Sequence, residues 1–272
     1  MRVNRMIICM RLTAGLLIVL CLALIGSNAP VAQVTEKVDL SVTDARPVAK
    51  ALEELERRYG WVITYEDPVY DSTEAIDVTA QVRKDGGRNG EPRVLIPKGG
   101  PLSITYEVDP NTKLPLDRDA VVQKVLDANQ PAGSVARFRL EREKDGHMLH
   151  VIPTVNKTSA GELVPHTSVL DAVISLSQGD RTRLQTMDAL CDAISQATQT
   201  KVEVGSAPLN LFMAQRDQEG VFNQKARDVL VQMLKRTRSR ANLSWRLLYG
   251  PDMKMYMLNV YPVALRAADS RR

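Results

Sequence analysis

Cysteine and histidine are both scarce in this sequence, which has three of each among its 272 residues. Cys9 and Cys21 lie in an apolar N-terminal segment, so removal of that segment would leave Cys191 alone. A chain with one cysteine has no intrachain disulfide, whichever compartment it occupies. We therefore expect stability to come from ordinary hydrophobic cores, and roughly 240 residues suffice for one large or two modest domains.

Long apolar runs are also missing, apart from the uncharged stretch at 12–25. Three arginines precede this stretch and small residues follow it, which is the layout of a secretory signal peptide. Its length falls short of the roughly 20 residues that a membrane-spanning helix needs. The prediction is a signal peptide over 1–32, cleaved between positions 26 and 33, and a periplasmic or secreted protein. An uncleaved N-terminal anchor in the inner membrane is the less favoured alternative.

Net positive charge is lost together with the signal peptide. The chain carries 36 Lys and Arg against 32 Asp and Glu, but residues 1–32 hold three of the arginines and no acid. The mature chain is therefore close to neutral. Nucleic-acid binding depends on Lys and Arg that neutralise phosphates, so we expect no nucleic-acid partner.

Motifs that carry chemistry are missing too, since no Gly-x-Ser-x-Gly nucleophile elbow occurs. His147 and His150 lie three positions apart on a predicted strand, so their side chains point to opposite faces and cannot easily share a metal. We expect both to be surface imidazoles. Cys191 falls on the apolar stripe of a predicted helix, which favours a core residue over a nucleophile. The sequence predicts no catalytic residue, no cofactor and no metal site.

The chain does contain clear amphipathic elements, beginning with "KVDLSVTDARPVAKALEELERRYGWVITYE" at 37–66. Alternating apolar residues predict a strand at 38–42, and a helix begins near Pro47 with Thr43 or Asp44 as its cap. The apolar stripe of that helix consists of Val48, Ala51, Leu52, Leu55 and Tyr59. We expect its charged residues, Glu56 among them, on the solvent face. Gly60 ends the helix before a returning strand.

The rest of the first half is less regular. A strand is predicted at 76–82, and the turn "PKGGP" within a Gly/Pro-rich insert at 83–101 predicts a hairpin between "RVLI" and "LSITYEV". A helix follows at 117–128, capped by Asp117. Residues 136–155 then predict two strands around a Lys-Asp-Gly turn.

Most of this order recurs after a polar linker at 156–168. The second half predicts a strand at 170–177, helices at 182–198 and 224–237, a strand at 201–205 and a closing hairpin at 243–263. We therefore predict an α+β fold of two tandem β-α-β-β-α-β-β modules, each a small sheet packed with two helices. The modules span 37–155 and 169–263, and 264–272 is a polar tail.

This order of elements resembles the secretin and TonB short N-terminal domain, a periplasmic domain found at the front of secretin channels and TonB-dependent receptors. The residues that carry the resemblance are Val38, Leu40, Ala51, Leu52, Leu55, Gly60 and Ile63, then Val221, Ala226, Val229, Leu230, Met233, Leu234 and Val260. We expect no channel or receptor barrel after residue 263, and the insert at 83–101 departs from the family pattern. The resemblance implies an interaction domain without catalysis.

Candidate partner contacts come from the densest basic cluster, "KRTRSR" at 235–240, and from the closing hairpin. The candidates are Lys235, Arg236, Arg238, Arg240, Tyr256 and Met257. Basic residues at a helix C-terminus complement the helix dipole, and that explanation accounts for most of the cluster. The sharper hypothesis is contact with an acidic partner or with anionic lipid headgroups.

The leading hypothesis is an exported, non-enzymatic protein–protein interaction module of the bacterial cell envelope. It would bind another envelope protein by adding a strand to a sheet edge or through a helix face. One alternative is a secreted hydrolase whose carboxylates converge between the modules. Another is a structural component that associates with copies of itself.

Overall fold

A computed structural model of the chain describes residues 35–83, 93–129, 137–158, 162–237 and 241–264. Helices and several small sheets make it a mixed α+β fold, which confirms the predicted fold class at that level. The predicted signal peptide and most of the polar tail lie outside the described residues.

The N-terminal half contains seven described strands and three described helices. The strands are β1 (Glu36–Asp44), β2 (Val62–Glu66), β3 (Ala75–Asp77), β4 (Leu95–Pro97), β5 (Gly100–Val108), β6 (Phe138–Arg142) and β7 (Met148–Pro153). The helices are α1 (Pro47–Tyr59), α2 (Thr79–Val82) and α3 (Arg118–Ala128). Asp117 caps α3 as predicted, and Gly60 ends α1 in the left-handed conformation that favours glycine.

A short antiparallel pair precedes the C-terminal half and consists of β8 (Val155–Lys157) and β9 (Leu163–Pro165). Apart from Val155, this pair lies in the predicted linker. The strands of the C-terminal half are β10 (Val173–Leu176), β11 (Arg181–Thr182), β12 (Lys201–Ser206), β13 (Arg216–Asp217), β14 (Val221–Lys225), β15 (Asn242–Gly250) and β16 (Met255–Val263). Its described helices are α4 (Arg183–Thr198), α5 (Leu209–Met213) and α6 (Ala226–Lys235).

The two halves share a single six-stranded sheet in the order β12-β16-β15-β2-β7-β6. Each half contributes three strands with the same pairing. In the N-terminal half β2 runs parallel to β7, and β7 pairs antiparallel with β6. In the C-terminal half β12 runs parallel to β16, and β16 pairs antiparallel with β15. The halves meet where β15 pairs in parallel with β2.

Two hydrophobic cores lie on opposite faces of this sheet, because neighbouring residues of one strand belong to different cores. Ile63 packs with α1 and α3, whereas Val62 belongs to the core with α4 and α6. On β7, Leu149 belongs to the core with α1 and α3, and Met148 belongs to the core with α4 and α6. Side chains of a strand alternate between the two faces of a sheet. The helices α1 and α3 therefore cover one face, and α4 and α6 cover the other.

Two predictions of local structure are wrong. Residues 76–82 form the end of β3 and then α2, not one strand. The strands around "PKGGP" do not form a hairpin, since β4 pairs with β3 and β5 pairs with β1. The physical reason lies at Gly99, where an added Cβ would come within 2.0 Å of the Asp44 carbonyl oxygen. The chain there passes against the end of β1 instead of folding back on β4.

The start of α1 also differs from the prediction. Arg46 occupies the N-cap position and makes no side-chain capping bond, with Pro47 in the first turn. Asp44 does not cap the helix itself. Its Oδ1 accepts a hydrogen bond of 2.7 Å from the N–H of Arg46, the residue before the first helical residue. The side chain of Arg46 is thereby left available for another role.

Candidate functional site

The closing hairpin, predicted to carry partner contacts, lies inside the sheet. Its strands β15 and β16 each have a neighbouring strand on both sides. Tyr256 is 1% exposed and packs against Tyr249, so its side chain is not available to a partner. Met257 is half-buried and stands opposite Glu203 of β12. The flanking strands were not part of the prediction, because one sequence indicates the strands of a hairpin but not the strands that lie beside it.

The basic cluster is engaged with acids of the same chain wherever the structure describes it. Lys235 Nζ lies 2.6 Å from Glu143 and 2.8 Å from Asp145, both in the turn between β6 and β7. Arg236 pairs with Glu219. Arg238 and Arg240 lie outside the described residues. Lys235 and Arg236 therefore hold elements of this chain together, which the prediction of partner contact did not anticipate.

Among the residues that the structure describes, the sheet ends at β6 on one side and at β12 on the other, so these two strands are its open edges. On β6, the Arg137 carbonyl accepts from the Thr154 N–H and the Glu143 N–H donates to the Met148 carbonyl. The backbone N–H and C=O groups of the odd-numbered residues of β6 therefore point toward β7. Backbone groups of successive strand residues alternate in direction, so Phe138, Leu140 and Arg142 direct theirs outward.

On β12, the outward positions follow from a contact with α4. The Val202 N–H donates to Ser195 Oγ at 2.9 Å rather than to β16. By the same alternation, Val204 also directs its N–H and C=O away from β16. Unpaired backbone groups in a row are a template for another strand. Ser195 Oγ also donates to the Val202 carbonyl at 3.3 Å, so both backbone groups of Val202 are bonded. The sheet thus offers a row of outward groups on β6 and those of Val204 on β12.

The junction of β15 with β2 is built around a buried ion pair. Arg246 Nη2 donates to Glu56 Oε2 at 2.6 Å, and Glu56 Oε1 accepts from the Ile63 N–H at 3.0 Å. Arg246 Nη1 and Ser244 Oγ both donate to the Ile63 carbonyl. Glu56 is only 3% exposed, so its predicted place on the solvent face of α1 is wrong. Burial raises the pKa of Glu56, an effect that Arg246 opposes.

Two further carboxylates at this junction are also paired with arginine. Glu66 accepts from Arg227 and from Ser168, and Arg227 also pairs with Asp171 at 3.2 Å. Asp67 pairs with Arg46 at 2.7 Å and accepts from the Tyr249 N–H. These contacts join α1, β2, α6 and β15, so ionic and hydrogen-bonded contacts span both halves.

The hydrolase alternative would need an acid and a base that face an open cleft. Glu56, Glu66 and Asp67 are 1–3% exposed, and each is matched by a guanidinium group. A buried carboxylate held by arginine is a structural ion pair, whereas a catalytic dyad needs two groups that exchange protons with substrate. None of the described carboxylates at the junction forms such a catalytic pair, so they do not support the hydrolase alternative.

A groove with a volume of about 780 Å³ opens beside Arg46. Its wall includes Pro47, Pro68, Pro97, Pro101, Tyr65, Phe138, Lys98 and Asp67. The charged groups on this wall are paired, since Arg46 holds Asp67, Lys98 Nζ donates to the Thr73 carbonyl at 2.8 Å and Glu74 pairs with Lys157. Glu74 Oε2 is buried without a hydrogen-bond partner among the described residues. The groove therefore presents chiefly proline and aromatic surface.

The remaining candidates for chemistry are buried. His150 is 3% exposed, bonds to Thr64 at 2.9 Å and lies against Trp245, so it is not the predicted surface imidazole. Burial lowers its pKa to about 3, which keeps the ring neutral. Cys191 is 2% exposed and burial raises its pKa to about 12, consistent with the predicted core position.

The described parts of the chain hold no group of three or more His, Cys, Asp or Glu side chains placed to bind a metal ion. Nor do they include a helix with the length and hydrophobicity needed to cross a membrane.

Comparisons with protein-family models, with curated proteins and with solved structures find no match for this chain.

The buried ion pairs were missed by reasoning from the sequence. One signal was present, because an arginine interrupts the apolar strand "WRLL" and another occupies the same place in "FRLE". A charge in the middle of an apolar strand indicates a buried partner, since burying it alone is costly. The partner, Glu56, comes from a helix far away in sequence and could not be identified from this signal.

Proposed function

We propose that this protein is an exported, non-enzymatic interaction module of the bacterial cell envelope, which binds a partner protein by adding a strand to an open edge of its six-stranded sheet. The observation that carries the proposal is the pair of open edges, β6 and β12, on a sheet whose interior is fixed by buried ion pairs. Strand addition provides affinity through main-chain hydrogen bonds.

The two halves are, in this proposal, two modules that resemble the secretin and TonB short N-terminal domain. Support comes from the repeated order and pairing of strands in residues 36–153 and 173–263. The export signal at 1–32 and a periplasmic location are part of the same proposal, and they rest on the arginines and the apolar run at the N-terminus.

The β12 edge is the better receptor for an added strand. Val202 and Val204 lie on the outer edge, and Gly205 follows them with only a side chain, that of Asn259, close to where its Cβ would be. The pairing of β12 with β16 shifts register between Val204 and Ser206, around Gly205. A glycine in a strand often marks a bulge or a place where another backbone approaches closely. The ion pair between Lys201 and Glu203, at 2.5 Å, neutralises the charges of this strand.

The test is photocrosslinking in envelope fractions. A photoreactive amino acid replaces Val204 on the β12 edge in one variant and Gln123 on the exposed face of α3 in the control. We expect the Val204 variant to capture one defined protein that the Gln123 variant does not capture. Capture of the same set of proteins by both variants, or of none by either, would contradict the proposal.

A further inference from the structure

We propose that the strand added to β12 comes from a second copy of this chain, and that it is β6, so that copies associate head to tail through one continuous sheet. This inference rests on the proposed function and names its partner. The basis is the junction inside the chain, where β15 already pairs with β2 in parallel.

The first half of the correspondence is between β6 and β15. Each is the first strand of an antiparallel hairpin, and each carries an aromatic residue, an arginine and a leucine in succession. Arg139 stands opposite Ile152, and Arg246 stands opposite Asn259. The number of residues between the arginine and the residue opposite it is therefore the same in both hairpins. β6 therefore presents to solvent the edge that β15 presents to β2.

The second half of the correspondence is between β2 and β12. Each follows a helix and runs parallel to the second strand of its hairpin. On β2 the Ile63 N–H donates to Glu56 of α1, and on β12 the Val202 N–H donates to Ser195 of α4, seven positions back in both cases. β12 therefore presents to solvent the edge that β2 presents to β15.

These correspondences fix the register of the proposed contact. Inside the chain Arg246 stands opposite Tyr65. The equivalent of Arg246 is Arg139, and the equivalent of Tyr65 is Val204, because Tyr65 and Val204 each lie two positions after the residue bonded to the helix. We therefore expect Arg139 of one copy beside Val204 of the next, with the two strands parallel.

The symmetry of the contact determines the kind of assembly. One copy uses β6 and its neighbour uses β12, so the interface is heterologous, and each added copy leaves one edge of each kind open. Such contacts produce chains or rings rather than closed dimers. Repetition of the internal junction also keeps every helix on the side of the sheet that it already occupies.

The charges on the two edges do not oppose this contact. Charged side chains commonly protect sheet edges from pairing. Here Arg139 pairs with Glu141 at 2.7 Å and with Asp171 at 3.4 Å, and Lys201 pairs with Glu203 at 2.5 Å, all within one chain. An arriving strand therefore meets side chains that are already neutralised.

One difference makes the contact weaker than the internal junction. Arg246 has Glu56 as its partner, whereas Arg139 would meet Ser195 at the equivalent place, which has no charge. We therefore expect association that depends on protein concentration. Arg139 keeps Glu141 and Asp171 of its own chain as partners. Replacement of Ser195 by glutamate would add a carboxylate from the neighbouring copy and still provide an acceptor for the Val202 N–H, as Glu56 does for Ile63.

The first test uses two single-cysteine variants of the full chain, Arg139→Cys and Val204→Cys, each in a Cys191→Ala background. Mixed under mild oxidation, they should form a disulfide between the two variants, identified by mass spectrometry. Val204→Cys mixed with Gln123→Cys controls for random collision. Disulfides only between identical variants, or yields no higher than in the control, would overturn the proposal.

The second test measures association by sedimentation velocity as protein concentration rises. The unmodified protein should shift to larger species, and Ser195→Glu should lower the concentration at half-association about tenfold, the effect of about 1.4 kcal/mol. Ser195→Gln, which adds the length without the charge, should change it little. Monomers at every concentration, for the unmodified protein and for Ser195→Glu, would overturn the proposal.

The two proposals fail in different ways. If the protein stays monomeric and forms no mixed disulfide while the photoreactive Val204 variant captures a different envelope protein, self-association is overturned and the proposed function stands. If that variant captures nothing and the mixed disulfide is also missing, both proposals are overturned.

Discussion

Arg246 and Glu56 are separated by 190 positions in the sequence, yet Nη2 of the arginine lies 2.6 Å from Oε2 of the glutamate, in the interior of the protein. The pair links β15 to α1, and so connects the C-terminal half with the N-terminal half. Because Glu56 also accepts from the Ile63 N–H, the same carboxylate fixes the end of α1 against β2.

Loss of Arg246 should therefore be costly. We expect Arg246→Met to lower the free energy of unfolding at pH 7 by about 3–5 kcal/mol, because it leaves a buried carboxylate without its cation. The measurement is urea unfolding followed by circular dichroism. Arg57→Met is the control, since Arg57 pairs with Glu54 on the surface, where ion pairs contribute little to stability. Equal losses in the two variants would contradict a structural role for the buried pair.

The cost of Arg246→Met should also depend on pH. Without the arginine, the pKa of Glu56 in the folded protein should rise further above its unfolded value, because burial already raises it. A raised folded pKa favours the folded state at low pH and loses that contribution as pH rises through the shifted value. The stability difference between Arg246→Met and the unmodified protein should therefore grow between about pH 4.5 and 7. A difference that is constant over this range would argue against a buried, ionised Glu56.

His150 should make stability fall in mild acid. Its folded pKa is about 3, below the ordinary value of 6.5. The unfolded chain therefore binds a proton that the folded protein does not bind, and stability falls as pH drops from about 6.5 towards 3. We expect a contribution of roughly 1 kcal/mol per pH unit between pH 6 and 4. His150→Asn removes the titrating ring, so the pH dependence of its unfolding free energy should be shallower by that amount. Identical slopes would contradict a neutral, buried His150.

Gly99 and its neighbour Gly100 provide a matched pair for the packing against β1. A Cβ at Gly99 would lie 2.0 Å from the Asp44 carbonyl oxygen, whereas a Cβ at Gly100 meets nothing within 4 Å. Gly99→Ala should cost about 1–3 kcal/mol in thermal or urea unfolding, because backbone atoms must move. Gly100→Ala should stay within about 0.5 kcal/mol of the unmodified protein. If both changes are tolerated equally, the close passage of the chain at this point is disproved.

Cys191 should react only when the protein unfolds. The thiol is 2% exposed, and burial raises its pKa to about 12, so the reactive thiolate is scarce near neutral pH. We expect negligible labelling by iodoacetamide at pH 8 in buffer and rapid labelling in urea, measured by intact mass. Gln123→Cys, on an exposed helical face, is the control and should label in both conditions. Fast labelling of Cys191 in buffer would show that α4 is not packed as described.

The local elements of this protein were determined by the sequence. Pro47, the apolar stripe and Gly60 were enough to delimit α1, because helix ends and helical periodicity depend on neighbouring residues. The same holds for α3, α4 and the two hairpins, whose paired strands are close together in the sequence. The core position of Cys191 also followed from the spacing of its apolar neighbours.

Contacts between distant parts of the chain were decided only by the tertiary structure. The sequence placed Glu56 on a solvent face and Tyr256 on an accessible hairpin, but both are buried because β15 lies beside β2. Local periodicity shows that a strand has two faces and two edges, and it says nothing about which strand pairs with which edge. That choice follows from the sum of packing, ion pairs and backbone hydrogen bonds over the whole fold. It left β6 and β12 open and placed Arg246 beside Glu56.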